Sequence, residues 1–284
     1  MNKTPIIDTH LHLWDPNAIH YPWLKDVPSI NAPHLIPDYK KATQGIEIEK
    51  MVFLQCEAEP SQYLDEVKWV SDIAQTQDSR IQSITAWAPL EKGDAAQEDI
   101  DKLKDYPLVN GIRRIIQFED DDEFCLQPDF IKGVQLMEKC GWNFEICIKG
   151  DQQFENVLSL VRQTPNVPFI LNHIGKPFIA DGILSPWDEY IAQLASLPNT
   201  TSKVSGLMNE AGEDWSYEDL RPYLDTVFEQ FTIDRVFFGG DWPVCTLNGT
   251  YARWYETITR YLDDFSDTEQ VLFFNANARR IYHL

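Results

Sequence analysis

Short apolar runs alternate with longer amphipathic stretches along the whole chain. The runs are Ile6 to Asp8, Met51 to Gln55, Ile81 to Ala88, Val109 to Ile116, Asn143 to Ile148, Phe169 to His173, Thr201 to Gly206 and Val236 to Gly240. Each has the length and apolar density of a strand. Between them apolar side chains recur at i, i+3 or i+4, as in Leu64, Val67, Val70 and Ile73, or Phe154, Val157, Leu158 and Val161. Helices with that spacing carry one apolar stripe and can cover a face of a parallel sheet. Pro60-Ser61 and Pro128-Asp129 stand where two such helices would begin, positions at which proline loses no hydrogen bond. Eight runs spaced roughly 25 to 45 residues apart fit the strand, loop, helix and return loop of a barrel. The predicted fold class is α/β, a (β/α)8 TIM barrel forming a single domain over residues 1–284.

One connection breaks the rhythm. Residues 14–45 are rich in proline and aromatics, including Tyr21-Pro22-Trp23-Leu24, Pro28, Pro33 and Pro37. Loops this long inside compact domains are commonly lids or binding loops, so this one is expected to roof the site. The alternative is that Tyr21 and Trp23 plug the barrel mouth, since large aromatics bury much area either way.

Composition narrows the partners. A chain of 284 residues with 43% hydrophobic content can bury a large core, and its net charge of −21 would repel a phosphate backbone or an anionic membrane. No nucleic acid and no membrane partner is expected. No apolar run approaches the length of a bilayer span, and no charged and apolar leader precedes the first strand, so a cytoplasmic location is expected. Five cysteines with no C-x-x-C pair argue against a disulfide framework or a thiolate zinc site. The sequence carries no signal for oligomeric state.

Three strand ends carry the candidate chemistry. His10 and His12 stand at i and i+2 and so share one face of the first strand. His173 closes the sixth run, and Asp241 follows the Gly239-Gly240 break after the eighth. Barrel active sites are assembled from C-terminal strand ends, so these four are predicted to meet.

The motifs Ile7-Asp8-Thr9-His10-Leu11-His12-Leu13-Trp14-Asp15, Gly111-Ile112-Arg113-Arg114-Ile115-Ile116-Gln117, Asn172-His173-Ile174-Gly175-Lys176-Pro177, Lys203-Val204-Ser205-Gly206-Leu207 and Phe238-Gly239-Gly240-Asp241-Trp242-Pro243, with Tyr21-Pro22-Trp23-Leu24, resemble the amidohydrolase superfamily. More narrowly they are similar to its sugar-lactonase branch, which includes L-fuconolactonase-like and L-rhamnonolactonase-like proteins. The resemblance runs from the first strand to the last. It implies a small-molecule lactone as substrate and hydrolysis to the aldonic acid.

Binuclear members, as the superfamily pattern implies, need further ligands at the ends of strands four and five, typically a carboxylated lysine and a histidine. Here strand four ends in Ile115-Ile116-Gln117 and strand five reads Asn143-Phe144-Glu145-Ile146-Cys147. A single Zn2+ held by His10, His12 and Asp241 with a water is chemically reasonable. Catalysis without metal is also reasonable, and the lactonase branch implies that no cofactor is obligatory.

Ring opening requires an activated water, a stabilised oxyanion and a proton for the leaving oxygen. Asp241 is assigned as proton acceptor and His10, His12 and His173 as groups that polarise the carbonyl. Arg113, whose fork matches paired oxygens, is the expected substrate-binding cation, with Arg114 facing the other way by strand alternation. Trp14, Tyr21, Trp23, Lys176 and Trp242 complete the predicted substrate contacts. Glu145 and Gln55, polar within apolar strands, are expected to support His12 or His173. Two other functions compete: a zinc-dependent non-oxidative decarboxylase of the same superfamily, disfavoured by the missing strand-five histidine, and a non-catalytic barrel that binds a sugar acid.

Overall fold

Ile6-Ile7 opens the first of eight parallel strands whose neighbours follow chain order throughout. The computed structural model describes residues 4–284. The strands are β1 (Ile6–Leu11), β2 (Ile48–Leu54), β3 (Ile81–Ala86), β4 (Val109–Ile115), β5 (Asn143–Cys147), β6 (Phe169–Leu171), β7 (Thr200–Val204) and β8 (Val236–Phe238). Helices such as Tyr63–Thr76, Pro128–Cys140 and Asp151–Gln163 lie between them and bury the stripes read from the sequence, Val67, Val70 and Ile73 or Phe154, Val157 and Val161 among them. The fold is the predicted (β/α)8 TIM barrel. Among the described residues no helix is long and apolar enough to cross a membrane.

Closure falls just beyond the last strand. Leu11 pairs in parallel with Trp242. The backbone N–H of Asp241 donates to the His10 carbonyl at 2.8 Å, and that of His12 donates to the Trp242 carbonyl at 2.8 Å. The segment after Gly239-Gly240 therefore acts as the final rung of the barrel and brings the acid to the two histidines.

Two layers of apolar side chains result. The larger packs helices against the outside of the barrel. A smaller one, Val52, Leu54, Ile170 and Phe237, is joined by Ile281 and Tyr282 near the end of the chain. Tyr282 and its neighbour are tied down where β4 and β5 begin: Asn110 Nδ2 donates to the Tyr282 carbonyl and Asn143 Nδ2 to the Ile281 carbonyl, each at 2.7 Å.

The long connection is ordered. It contains two short 3-10 turns, Pro22–Asp26 and Pro28–Ile30, followed by a helix at Ile36–Ala42. Trp14 and His34 form an antiparallel bridge, and Leu24 and Ile30 are buried beneath it. It is a packed cap beside the C-terminal end of β1.

Strands β3 to β8 each end one or two residues short of the expected run, and β6 shows the physical reason most directly. The expected strand Phe169 to His173 ends at Leu171, because His173 and Ile174 adopt φ 53° and 49°. Such left-handed backbone cannot continue a ladder. His173 thus belongs to a tight turn after β6.

Candidate active site

His10 on β1 and His12 just past its end share one face, as alternation requires, and their Nε2 atoms stand 3.1 Å apart. Asp241 has φ 56°. From that position its Oδ1 lies 3.4 Å from His10 Nε2, 3.8 Å from His12 Nε2 and 3.9 Å from His173 Nε2. The four predicted residues converge on one buried point.

Backbone packing explains why the acid sits there. Asp8 Oδ1 accepts the N–H groups of both His10 and Gly240, at 3.0 and 2.8 Å, and Oδ2 accepts the hydroxyls of Tyr39 and Tyr251 at 2.8 and 3.0 Å. One carboxylate therefore fixes the main chain on both sides of the closure. A Cβ at Gly240 would lie 2.2 Å from Tyr251 Cε2 and 2.6 Å from Asp8 Oδ2, so only glycine fits. Asp8 was not singled out from the sequence, although an acid inside an apolar strand was a visible signal.

Proton arithmetic separates the imidazoles. His12 Nδ1 meets the Leu54 carbonyl at 2.8 Å, and a carbonyl only accepts, so the Nδ1 proton is committed and a neutral His12 turns an Nε2 lone pair inward. A neutral His12 therefore has no inward N–H with which to polarise the carbonyl, the role expected of it from the sequence. His10 Nε2 faces both this lone pair and Arg113 Nη1, the latter at 3.3 Å. It can donate to the first or accept from the second, not both. His173 Nδ1 contacts Ser205 Oγ at 2.9 Å, and a donating Ser205 hydroxyl leaves a proton on His173 Nε2.

Burial, then the positive charges of Lys203 and Arg113 and the neighbouring imidazoles, holds the His10 pKa well below the usual histidine range. Burial and Arg113 do the same to His12, and burial, Lys176 and Arg113 to His173. The Asp241 carboxyl is pushed the other way, to about 7, by burial, although Lys176 and Arg113 oppose it. A carboxylate poised near neutrality and flanked by neutral imidazoles suits proton transfer.

The same atoms suit a cation. Four-coordinate zinc with bonds of roughly 2.0 to 2.1 Å separates its ligand atoms by about 3.3 Å. His10 Nε2, His12 Nε2 and Asp241 Oδ1 form such a triangle, and the His12 lone pair is anchored from behind by Leu54 as metal-binding imidazoles usually are. Glu145 on β5 is not free to serve a second metal, because both its oxygens are engaged: Oε2 by Lys203 Nζ and Asn172 Nδ2 at 2.6 Å each, Oε1 by Tyr282 OH at 2.6 Å and Thr85 Oγ1 at 3.0 Å.

Arg113 points into the site, with Nη2 bonded to the Gln55 carbonyl and Nε buried without a partner. Arg114 faces outward as expected, paired with Glu91 and Glu119 and lying over Trp87. Gln55 supports Arg113 rather than a histidine, and its side chain exchanges two bonds with Glu57. Lys176 Nζ donates to Gln117 Oε1 at 2.7 Å. The predicted aromatics divide. Trp14 is fully buried, its Nε1 bonded to the Ala32 and Ile30 carbonyls. Trp242 is buried against Tyr39 and His34, and Tyr21 is buried with its hydroxyl unpartnered. Trp23 is only partly buried and donates to the Cys56 carbonyl at 2.8 Å.

Residues 7–284 match the family model described as amidohydrolase. The chain belongs to the amidohydrolase family. Among curated relatives this amidohydrolase is 27% identical to an L-fucono-1,5-lactonase from Burkholderia multivorans, over 98% of this chain and 96% of that one. It is 22% identical to an L-rhamnono-gamma-lactonase from Scheffersomyces stipitis, with both chains covered completely. A crystal structure of a Burkholderia multivorans amidohydrolase with bound zinc superposes with a TM-score of 0.86 at 25% identity, covering 99% of each chain.

Proposed function

We propose that this amidohydrolase hydrolyses a sugar lactone, an aldono-1,4- or 1,5-lactone, to the aldonic acid. The observation that carries the reading is the meeting of one carboxylate oxygen with three imidazole nitrogens within 3.9 Å, at the rim of a barrel where substrates bind. Relatives named as lactonases over the full chain length support the substrate class.

Asp241 takes a proton from a water as the water oxygen bonds to the lactone carbonyl carbon. Arg113 and the His173 Nε2 proton face the oxygen as it becomes negative, where preorganised donors are worth most. The tetrahedral species collapses, the bond from carbon to ring oxygen breaks, and Asp241 returns its proton to that oxygen. A lactone needs no separate acid, because the leaving hydroxyl stays within the same molecule and within reach of the same carboxyl. Lys176 and Gln117 are assigned to the substrate's hydroxyls and the ring face of Trp23 in the roof to its C–H surface, while Trp14, Tyr21 and Trp242 shape the wall behind them.

His10, His12 and Asp241 would hold one zinc ion, which would polarise the carbonyl and lower the pKa of a bound water. Turnover without metal is nevertheless the reading preferred here, since Arg113 and His173 supply donors on their own.

Acid release over a panel of aldonolactones, followed with a pH indicator, is the test. The wild-type protein acidifies at least one, and Asp241→Asn loses roughly 10²- to 10⁴-fold in kcat, the usual value of a positioned acid–base group. Carbon dioxide release from hydroxybenzoates instead would point to the decarboxylase, and silence in both assays to a binding protein.

A further inference from the structure

Glu145 and Lys203 form an ion pair with both side chains wholly excluded from solvent, and the ring-opening chemistry uses neither. Desolvating two such charges is costly and seldom repaid in stability. An apolar pair would fill the same space more cheaply. The surroundings indicate what the pair holds.

Asn172, which donates to Glu145 Oε2 at 2.6 Å, immediately precedes His173. From there the chain turns through three non-glycine residues in left-handed conformation, His173, Ile174 and Lys176, with φ of 53°, 49° and 49°. Each such residue is disfavoured sterically, and the β-branched Ile174 has no side-chain bond to offset the cost. Strained turns persist when their surroundings over-determine them. Here the Trp187 indole donates to the Ile174 carbonyl at 2.9 Å, and the Lys176 N–H donates to the His173 carbonyl at 2.9 Å. Ser205, just past β7, holds the imidazole. The remaining anchor is Glu145. It is fixed in turn by Lys203 and by the hydroxyl of Tyr282, two residues before Leu284.

We propose that Glu145, locked by Lys203 and by the C-terminal Tyr282, is a positioning residue that grips Asn172 and so holds the strained turn that aims His173 at Asp241. The end of the chain, entering from the opposite mouth of the barrel, thereby sets the geometry of the active site. This rests on the hydrolytic reading for its kinetic consequence, not for its structural one.

Asn172→Ala and Tyr282→Phe are made singly and again in a His173→Ala background. Each single substitution lowers kcat roughly tenfold, with KM changed less than about twofold, because a displaced catalytic group costs rate rather than ground-state binding. In the His173→Ala background neither has a further effect. The imidazole nitrogen–proton correlation of His173, assigned by its loss in His173→Ala, shifts in both variants, while that of surface His20 does not. Should Asn172→Ala fold poorly, Tyr282→Phe, which removes one oxygen, decides alone. Unchanged kcat with an unmoved His173 signal, or an equal loss with and without His173, overturns the proposal. If no lactone is hydrolysed, the hydrolytic reading fails and the His173 signal alone decides the clamp.

Discussion

The Asp241 backbone N–H donates to the His10 carbonyl at 2.8 Å, and this bond both closes the barrel and seats the acid beside the first imidazole. The His10 and Asp241 side chains consequently face each other at 3.4 Å. Fold closure and site assembly are one event here, so substitutions at the seam act on both.

Asp8 is the clearest case, since one of its oxygens accepts from His10 and Gly240 and the other from two tyrosines. Hydrogen bonds to a charged group contribute about 1.5 to 3 kcal/mol each, and not additively. Asp8→Ala is expected to lose about 3 kcal/mol or more in urea denaturation, together with most of its activity. A loss under about 1 kcal/mol would show that the seam does not depend on this carboxylate.

Gly206, with φ 74°, leaves no room for a side chain, because a Cβ would lie 2.4 Å from His173 Nδ1. Gly206→Ala should cost roughly 1 to 2 kcal/mol from its backbone alone. It should also cost about a hundredfold in kcat, as the imidazole is pushed off Asp241. Kinetics and thermal melting on one preparation check both. Wild-type kcat in this variant would remove His173 from the mechanism.

Glu66 supplies a pH dependence away from the site. It is buried, its Oε1 accepts the Cys56 N–H at 3.0 Å, and burial raises its pKa from 4.5 to about 8. An unfolded chain releases this proton near 4.5 and the folded one only near 8, so between them the folded state binds more protons and stability falls as pH rises. The contribution is complete below 4.5 and gone above 8. The urea midpoint of the wild type relative to that of Glu66→Gln should decline from pH 5 to 9, a difference in which the opposite pull of the buried histidines cancels. Parallel curves for the two proteins would contradict the assignment.

Zinc added to chelated protein should bind one ion per chain, measured by elemental analysis after dialysis, because Glu145 is committed to Lys203, Asn172, Thr85 and Tyr282. His12→Ala should abolish that binding, removing the one imidazole whose inward nitrogen is a free lone pair. Lactone turnover should survive the chelator. Two ions per chain, or turnover restored only by zinc, would reverse the reading.

Much of this was legible in order along the chain. Apolar runs at barrel spacing gave eight strands, and alternation within β1 put His10 and His12 on one face and separated Arg113 from Arg114. These are local consequences of a two-residue period, which a sequence states directly. Glu145 was legible as a polar residue that needed partners, though not which ones.

The pattern of residues along the chain was enough to read the barrel and to put His10, His12, His173 and Asp241 at or near strand ends. Packing in three dimensions was needed to see that His12 turns a lone pair inward, that Asp8 ties β1 to the segment after β8, that His173 sits in a left-handed turn, and that Tyr282 reaches Glu145. Most depend on groups far apart in the chain, as with Glu145 and Tyr282, whose sequence separation is 137. Proton placement and backbone strain arise from what a group meets across the barrel, and no pattern of neighbours along the chain encodes that meeting.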